Sequence, residues 1–389
     1  MTGPVQAQLG GFAGERLRRN VRQWINTFDI HRYVGLLETG RPGGGLLAGL
    51  WLEAATRACE WASDALLRQR AMGMLERVLA AEDRAGPGEF ALLGGALRAA
   101  GEVWQNGPAL RAADGMPVAP AEVPADPDGA EAFLWNRLFA LQTVDGDGFR
   151  ADLPPSGWRP QGYYAGPLAS DARSALALTL FPSLFYAVTP DGLRIDHYGP
   201  SSAVLTAGGT EVAIRQTTEY PSDGRVSVAV TPRQPAEFTL QPRIPRWCGS
   251  PVIELNGKPV PARRLRRVWR AGDRLELDFP MRPLWHRGNG VNRGRLALVR
   301  GPLAYFAEAG PGAKAGPVTV SVPVSAETPG PWCTIAGTGV QLRPLATLGE
   351  WYRSDAEKFR WLESLASHPE WASDPDRGRT LPYSIWLNA

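Results

Sequence analysis

Residues 211–308 read EVAIRQTTEYPSDGRVSVAVTPRQPAEFTLQPRIPRWCGSPVIELNGKPVPARRLRRVWRAGDRLELDFPMRPLWHRGNGVNRGRLALVRGPLAYFAE. Short runs in this stretch alternate apolar and polar residues, the period of a half-buried strand. Val226, Val228 and Val230 point one way. Phe238 and Leu240 follow, then Val252, Glu254 and Asn256, then Leu275, Leu277 and Phe279. Turn signals separate the runs: Asp223-Gly224, Asn256-Gly257 and Gly272-Asp273. Strands of this kind offer one face to bury and one to wet, so the stretch predicts an antiparallel sandwich.

The same stretch carries QTTEYPSDG (216–224), RIPRWC (243–248), LNG (255–257), WRAGD (269–273), DFPM (278–281) and RGPLAY (300–305). In this order the motifs resemble glycoside hydrolase family 127, the β-L-arabinofuranosidases and their relatives. Parts of the first half resemble it too: GGFAGERLRRN (10–20), WLEAAT (51–56), the run 130–149, and DGLRIDHY (191–198). The resemblance implies an (α/α)6 barrel holding the active site, backed by the β region. A large block is absent between Arg84 and Glu89, so a shortened barrel is expected.

Outward from the strands, residues 1–106 read as helices. The run 15–37 carries Trp24, Ile25, Phe28, His31 and Tyr33 near helical spacing, and GRPGGG (40–45) is a loop. Runs 46–59 and 62–81 are helices, the second with Leu66, Leu67, Met74, Leu75 and Val78 on one face. A further helix spans 89–104. A connector rich in Pro, Asp and Gly covers 106–129, and 130–142 is helical again. DGDG (145–148) is a turn, 150–167 a loop, and 170–188 a last helix that Pro182 should kink. Beyond 311, strands return at 317–325, 337–345 and 381–387, around a helical run at 348–371 that carries Trp351, Trp361 and Trp371. The expected fold class is α+β and multidomain. A truncated (α/α)-barrel-like domain spans 1–188, a β-sandwich 189–310, and a second sandwich portion with a short helical insert 311–389.

Composition narrows the function. The 389 residues are 44% hydrophobic and 21% charged, with a formal charge of +3, which leaves no nucleic-acid footprint. No apolar run reaches the length of a membrane span, and the start MTGPVQAQLGGFAGE lacks a signal-peptide pattern, so a cytoplasmic protein is expected. Cys59, Cys248 and Cys333 are scattered, as are His31, His197, His286 and His368, so neither disulfides nor metal-ligand spacing appear. No P-loop or nucleophile elbow is present. Arg263, Arg264, Arg266 and Arg267 read as a strand edge guarded by charge.

The resemblance implies a cysteine nucleophile near a zinc held by cysteines and a glutamate, with a separate glutamate acid/base. The Cys-Cys-Pro-Pro-Asn run of the family falls on residues 170–174, which are Ser, Asp, Ala, Arg and Ser here. Its Glu-x-Cys pair falls on 89–91, where Glu89 remains and the cysteine does not. The acid/base segment lies in the absent block. Cys248 belongs to the sandwich motif. Neither zinc nor another cofactor is therefore expected.

Candidate residues follow. Asp171, Tyr164, Tyr163 and Glu89 are the candidate catalytic groups. Trp158, Trp104, Trp51, Trp135 and Ser170 are the candidate substrate-binding ones. The plain alternatives are a capping Asp, a solvated Glu and core tryptophans. The favoured expectation is a non-hydrolytic cyclase, forming a ring of the [4+2] type on a large apolar polyketide-like intermediate. A glycosidase with a rebuilt Glu89–Asp171 pair is the alternative, and an inactive carbohydrate-binding module the second. The expected partner is a small-molecule substrate, without nucleic acid or membrane. A homo-oligomer is also expected to be feasible, its second subunit covering the gap in the barrel.

Overall fold

The computed structural model describes residues 7–113, 116, 123–143, 145–149, 156–159, 168–260, 263–308, 326–327, 333–335, 341–351, 381–384 and 387–388. The chain is an α+β protein of helices followed by sheets whose strands pair antiparallel, except that Gly192–Ile195 runs parallel to Ala236–Pro242, a departure from the all-antiparallel sandwich expected. The helices are α1 (Gly11–Arg19), α2 (Ile30–Glu38), α3 (Gly45–Ala62), α4 (Ala65–Ala80), the short α5 (Glu82–Ala85) and α6 (Pro87–Ala91), α7 (Gly94–Val103), α8 (Gly107–Ala112), α9 (Pro127–Phe133), α10 (Phe139–Leu141) and α11 (Leu168–Leu184). Two π-helical turns interrupt the set. Asn20–Ile25 prolongs α1, and Leu134–Leu138 joins α9 to α10.

Helix α3 is the hub, packed against α2, α4, α7 and α11. Glycines let α7 approach it closely. A methyl on Gly49 would lie 2.6 Å from Leu92 O, and one on Gly95 2.5 Å from Glu53 Oε2. The face predicted for α4 holds except at one position: Leu67, Met74, Leu75 and Val78 are buried, whereas Leu66 is 79% exposed. The helix expected over 15–37 breaks at 26–29, and the one over 89–104 divides at Leu92–Leu93, just before Gly94 and Gly95. Part of the connector over 106–129 is helical, as α8, capped by Asn106 Oδ1 accepting from Ala109 N.

The strands of the sandwich are β1 (Gln8–Leu9), β3 (Tyr186–Thr189), β4 (Gly192–Ile195), β5 (Ser201–Ala207), β6 (Thr210–Thr218), β7 (Arg225–Pro232), β8 (Ala236–Pro242), β9 (Val252–Leu255), β10 (Lys258–Pro259), β11 (Leu265–Trp269) and β12 (Asp273–Asp278); β2 (Ser156–Arg159) lies in a further sheet. Seven strands run in the order β1-β5-β6-β7-β12-β9-β10, and four in the order β11-β8-β4-β3. One apolar cluster fills the space between them, drawing Val226, Val228, Val230, Leu275 and Leu277 from one sheet and Phe238, Leu240, Leu193 and Trp269 from the other. Phe238 and Trp269 stack at 5.7 Å. Asn256 and Gly257 both adopt positive φ, 52° and 75°, the twist a two-residue hairpin loop needs between β9 and β10. The phase of β9 differs from expectation: Ile253 is buried opposite Leu277, and Val252 is 48% exposed. The last helix also ends sooner, at Leu184 with Pro182 inside it, and β3 takes up the chain.

A third sheet holds β13 (Pro283–Arg287), β14 (Arg295–Arg300), β15 (Leu303–Glu308), β16 (Ala326–Glu327), β17 (Cys333–Ile335), β18 (Gln341–Pro344), β19 (Leu381–Ser384) and β20 (Leu387–Asn388), with β2 paired to β19. The expected strand over 317–325 and most of the expected helix over 348–371 lie outside the described residues. No described helix is long and apolar enough to cross a membrane.

Candidate functional site

Helix α11 begins at Leu168, and Asp171 stands in its first turn, where the helix dipole favours a carboxylate. Its carboxylate rests near the turn 143–148. A methyl on Gly148 would lie 3.7 Å from Asp171 Oδ2. That turn is tightly closed: Thr143 N donates to Gly148 O, and the Thr143 hydroxyl donates to Asp147 Oδ1 at 2.7 Å.

Arg16 reaches this place from α1 and is almost wholly buried. Its Nη2 donates to Phe139 O at 2.7 Å and Gln142 O at 3.0 Å, gripping the end of α10. Gln142 Nε2 donates back to Arg16 O at 3.0 Å. One turn after Arg16, Asn20 Nδ2 donates to Ala175 O of α11, one turn beyond Asp171. Both π-turns pack against α11. An extra residue per turn shifts the following side chains by about 100°, and such turns recur at functional sites.

The cluster has two acceptors to spare. Asn20 Oδ1 and Gln142 Oε1 are buried without a hydrogen-bond partner. Leaving such a group unpaired costs roughly 1–3 kcal/mol. They share this end of the helical core with Asp171 and the buried Arg16 guanidinium. The sequence reading missed Arg16, Asn20 and Gln142. A signal existed: Arg16 and Asn20 recur at helical spacing within the buried stripe of Ala13, Leu17 and Trp24.

The candidate residues fall in different places. Ser170 is half-buried beside Asp171. Glu89 is engaged elsewhere: its Oε1 accepts from Gly43 N at 2.8 Å and its Oε2 from Gly45 N at 2.7 Å, closing the 40–45 loop onto the start of α3. Those backbone hydrogen bonds hold its carboxyl below the ordinary range. Trp51 has no exposed surface; its Nε1 donates to Ile25 O, and the Arg70 guanidinium sits 5.0 Å from its ring. Trp135 is buried against Phe12 and Phe139. Trp104 is half-buried at the end of α7, its Nε1 without a partner. Trp158 lies on strand β2, opposite Pro382, where a loop was expected. Tyr163 and Tyr164 lie outside the described residues.

Other ionisable groups stand away from this cluster. Burial pushes the Glu60 carboxyl up to about 7, aided by Glu102. Burial also pushes the Cys59 thiol up to about 12, making it a poor thiolate. Cys248 is buried in the sandwich core. A thiolate-held zinc does not fit these residues. Ser170 and Asp171 stand where the family resemblance calls for thiols, and no three His, Cys, Asp or Glu side chains converge among the described residues. A cleft of about 180 Å³ lies between α1 and the end of α3, lined by Leu17, Arg18, Arg22, Trp61 and Asp64, and contains none of the candidate residues.

Comparison with known proteins bears on this arrangement. The middle domain of the GH127 β-L-arabinofuranosidases matches residues 192–281. A structure titled glycoside hydrolase aligns with a TM-score of 0.65 at 13% identity, over 98% of this chain and 96% of its own. Over residues 192–281 the chain is related to glycoside hydrolase family 127. A GH127 β-L-arabinofuranosidase from Geobacillus stearothermophilus T6 aligns with a TM-score of 0.52 at 19% identity, over 89% of this chain and 60% of its own. A second GH127 enzyme, a β-arabinofuranosidase, aligns with a TM-score of 0.50 at 17% identity, over 95% and 64%. This GH127 relative thus spans less than two thirds of the length of those two enzymes. No curated protein matches its sequence. The solved structures share its fold; their identities are too low to carry an activity across.

Proposed function

We propose that this GH127 relative is a non-hydrolytic, cofactor-independent enzyme on a shortened (α/α) barrel. It is a cyclase of the [4+2] type, acting on a large apolar polyketide-like intermediate near the start of α11. The observation that carries this reading is the engagement of Glu89. Hydrolysis by a carboxylate pair needs one member protonated near neutral pH. Glu89 has both oxygens on backbone N–H groups and a lowered pKa, which suits a structural clasp and not a general acid. Glu89 is thus not free to face Asp171 as the second carboxyl of such a pair.

Ring formation of this type needs neither acid nor nucleophile. Two carbon–carbon bonds form at the expense of π bonds, and no proton or electron leaves the substrate. Holding the reactive conformer can contribute several kcal/mol. A hydrogen bond from Tyr163, Tyr164 or a protonated Asp171 to a substrate carbonyl would add polarisation.

The test is deletion of the gene followed by comparison of metabolites. The reading expects loss of one cyclised compound and accumulation of an open-chain isomer of equal mass, which the purified protein then converts. Asp171→Asn should slow that conversion without abolishing it. An accumulated glycoside, or an unchanged metabolite profile, would overturn the reading. Glycoside hydrolysis is the second reading, favoured by the whole-length likeness to a structure titled glycoside hydrolase.

A further inference from the structure

Residues 127–142 form a strut bonded to the sandwich, to the β14–β15 turn and to α1. At its start, Glu131 is enclosed: its Oε1 accepts from the Tyr220 hydroxyl at 2.5 Å and from Arg243 Nη2 at 3.0 Å. Arg243 also donates through Nη1 to Asp128 Oδ1 at 2.6 Å and through Nε to Asp196 O at 2.5 Å. These bonds fasten α9 to the sandwich. Midway, within the π-turn, Asn136 Nδ2 donates to Pro302 O at 2.8 Å, and Ala304 N donates to Asn136 Oδ1 at 2.7 Å. This pair fastens the strut to the β14–β15 turn. At its end, Arg16 holds Phe139 O and Gln142 O beside the turn that abuts Asp171.

Removing two charges from water is costly, and a buried pair is weak evidence for stability alone. The Arg243 network is nevertheless nearly complete in hydrogen bonds, and it grips a segment that leads to the Asp171 cluster. We infer that Arg243 is a positioning residue for that cluster, acting through Glu131 and the rigid strut on Gln142 and the turn 143–148. The inference rests on the reading that the site lies at Asp171. It assigns to the RIPRW motif (243–247) a task beyond sandwich packing: setting the angle of a helix that ends at the site.

Amide hydrogen exchange on the intact protein without ligand tests this, so the result does not depend on which reaction the site performs. Arg243→Lys keeps the charge but loses the fork that spans Glu131, Asp128 and Asp196 O. It should speed exchange at Gln142 and Thr143 at least tenfold while leaving α4 unchanged. If Arg243→Lys does not fold, Tyr220→Phe removes a single bond to Glu131, and about threefold faster exchange is expected at the same amides. Faster exchange confined to 128–131 and 243–247, or rising equally in α4, would overturn the inference. Failure of the deletion experiment with success here would move the chemistry and leave the strut intact.

Discussion

The sandwich and the helical half both bury polar side chains, but on different terms. In the sandwich, the Tyr186 hydroxyl pairs with Ser201 Oγ at 2.8 Å, and Gln216 Nε2 donates to it at 3.0 Å and to His197 O at 3.0 Å, while Gln216 Oε1 is enclosed without a partner. In the helical half, Asn20 Oδ1, Gln142 Oε1 and Thr56 Oγ1 are enclosed without a partner. The difference lies in the hydroxyls: that of Tyr186 is paired and that of Thr56 is not. Natural proteins concentrate such local costs at functional sites.

Acid should separate the two halves most strongly. Burial, with the nearby Arg243 charge, pushes the His197 imidazole down to about 3. Unfolded histidine titrates near 6.5, so the unfolded chain binds the extra proton first. The stability that neutral His197 contributes is present above pH 6.5 and is lost as pH falls towards 3, by about 5 kcal/mol in all. Urea unfolding across that range, with His197→Gln for comparison, should show the acid limb flattened in the variant. An unchanged limb would break the contrast.

Smaller effects sharpen it. Tyr186→Phe removes the centre of a paired network and should cost about 1.5 kcal/mol in urea unfolding. Glu89→Gln weakens the clasp on Gly43 and Gly45 and should cost about 1 kcal/mol at neutral pH. Because the folded pKa of Glu89 is lowered, its contribution is present above the unfolded carboxylate range and fades as pH drops through the folded value. Equal stability of the variant at every pH would contradict the clasp. Thr56→Val keeps shape and removes an unpaired hydroxyl, so it should stabilise by about 0.5–1 kcal/mol. A loss there would mean that Thr56 has found a partner, and the two halves would then be alike.

The strands were legible because period two leaves one solution wherever an apolar residue stands alone. Val228 lies opposite Leu275 and Val226 opposite Leu277, as their alternation requires. Adjacent apolar residues defeated the same logic. Val252-Ile253 in β9 and Leu66-Leu67 in α4 fit either face, and only packing against Leu277 or the helical core decides between them. The π-turns carry no sequence signature, so the breaks in the first and ninth helices were invisible. At the candidate site, Asp171 and Ser170 stand out only by motif position. Arg16, Asn20 and Gln142 were passed over because polar residues on helices are read as solvent-facing. Glu89 was found for its chemistry, but its use by the glycine loop depends on a contact 46 residues back along the chain.

On the proposed reading, the helical half lacks the hydrolytic chemistry of the GH127 enzymes. The direct measurement is metal content of the purified protein together with release of nitrophenol from an aryl β-L-arabinofuranoside, with and without added zinc. The account predicts sub-stoichiometric zinc and no release above a Ser170→Ala, Asp171→Asn control. One bound zinc per chain with sugar release that the control abolishes would contradict it and return the protein to glycoside hydrolysis.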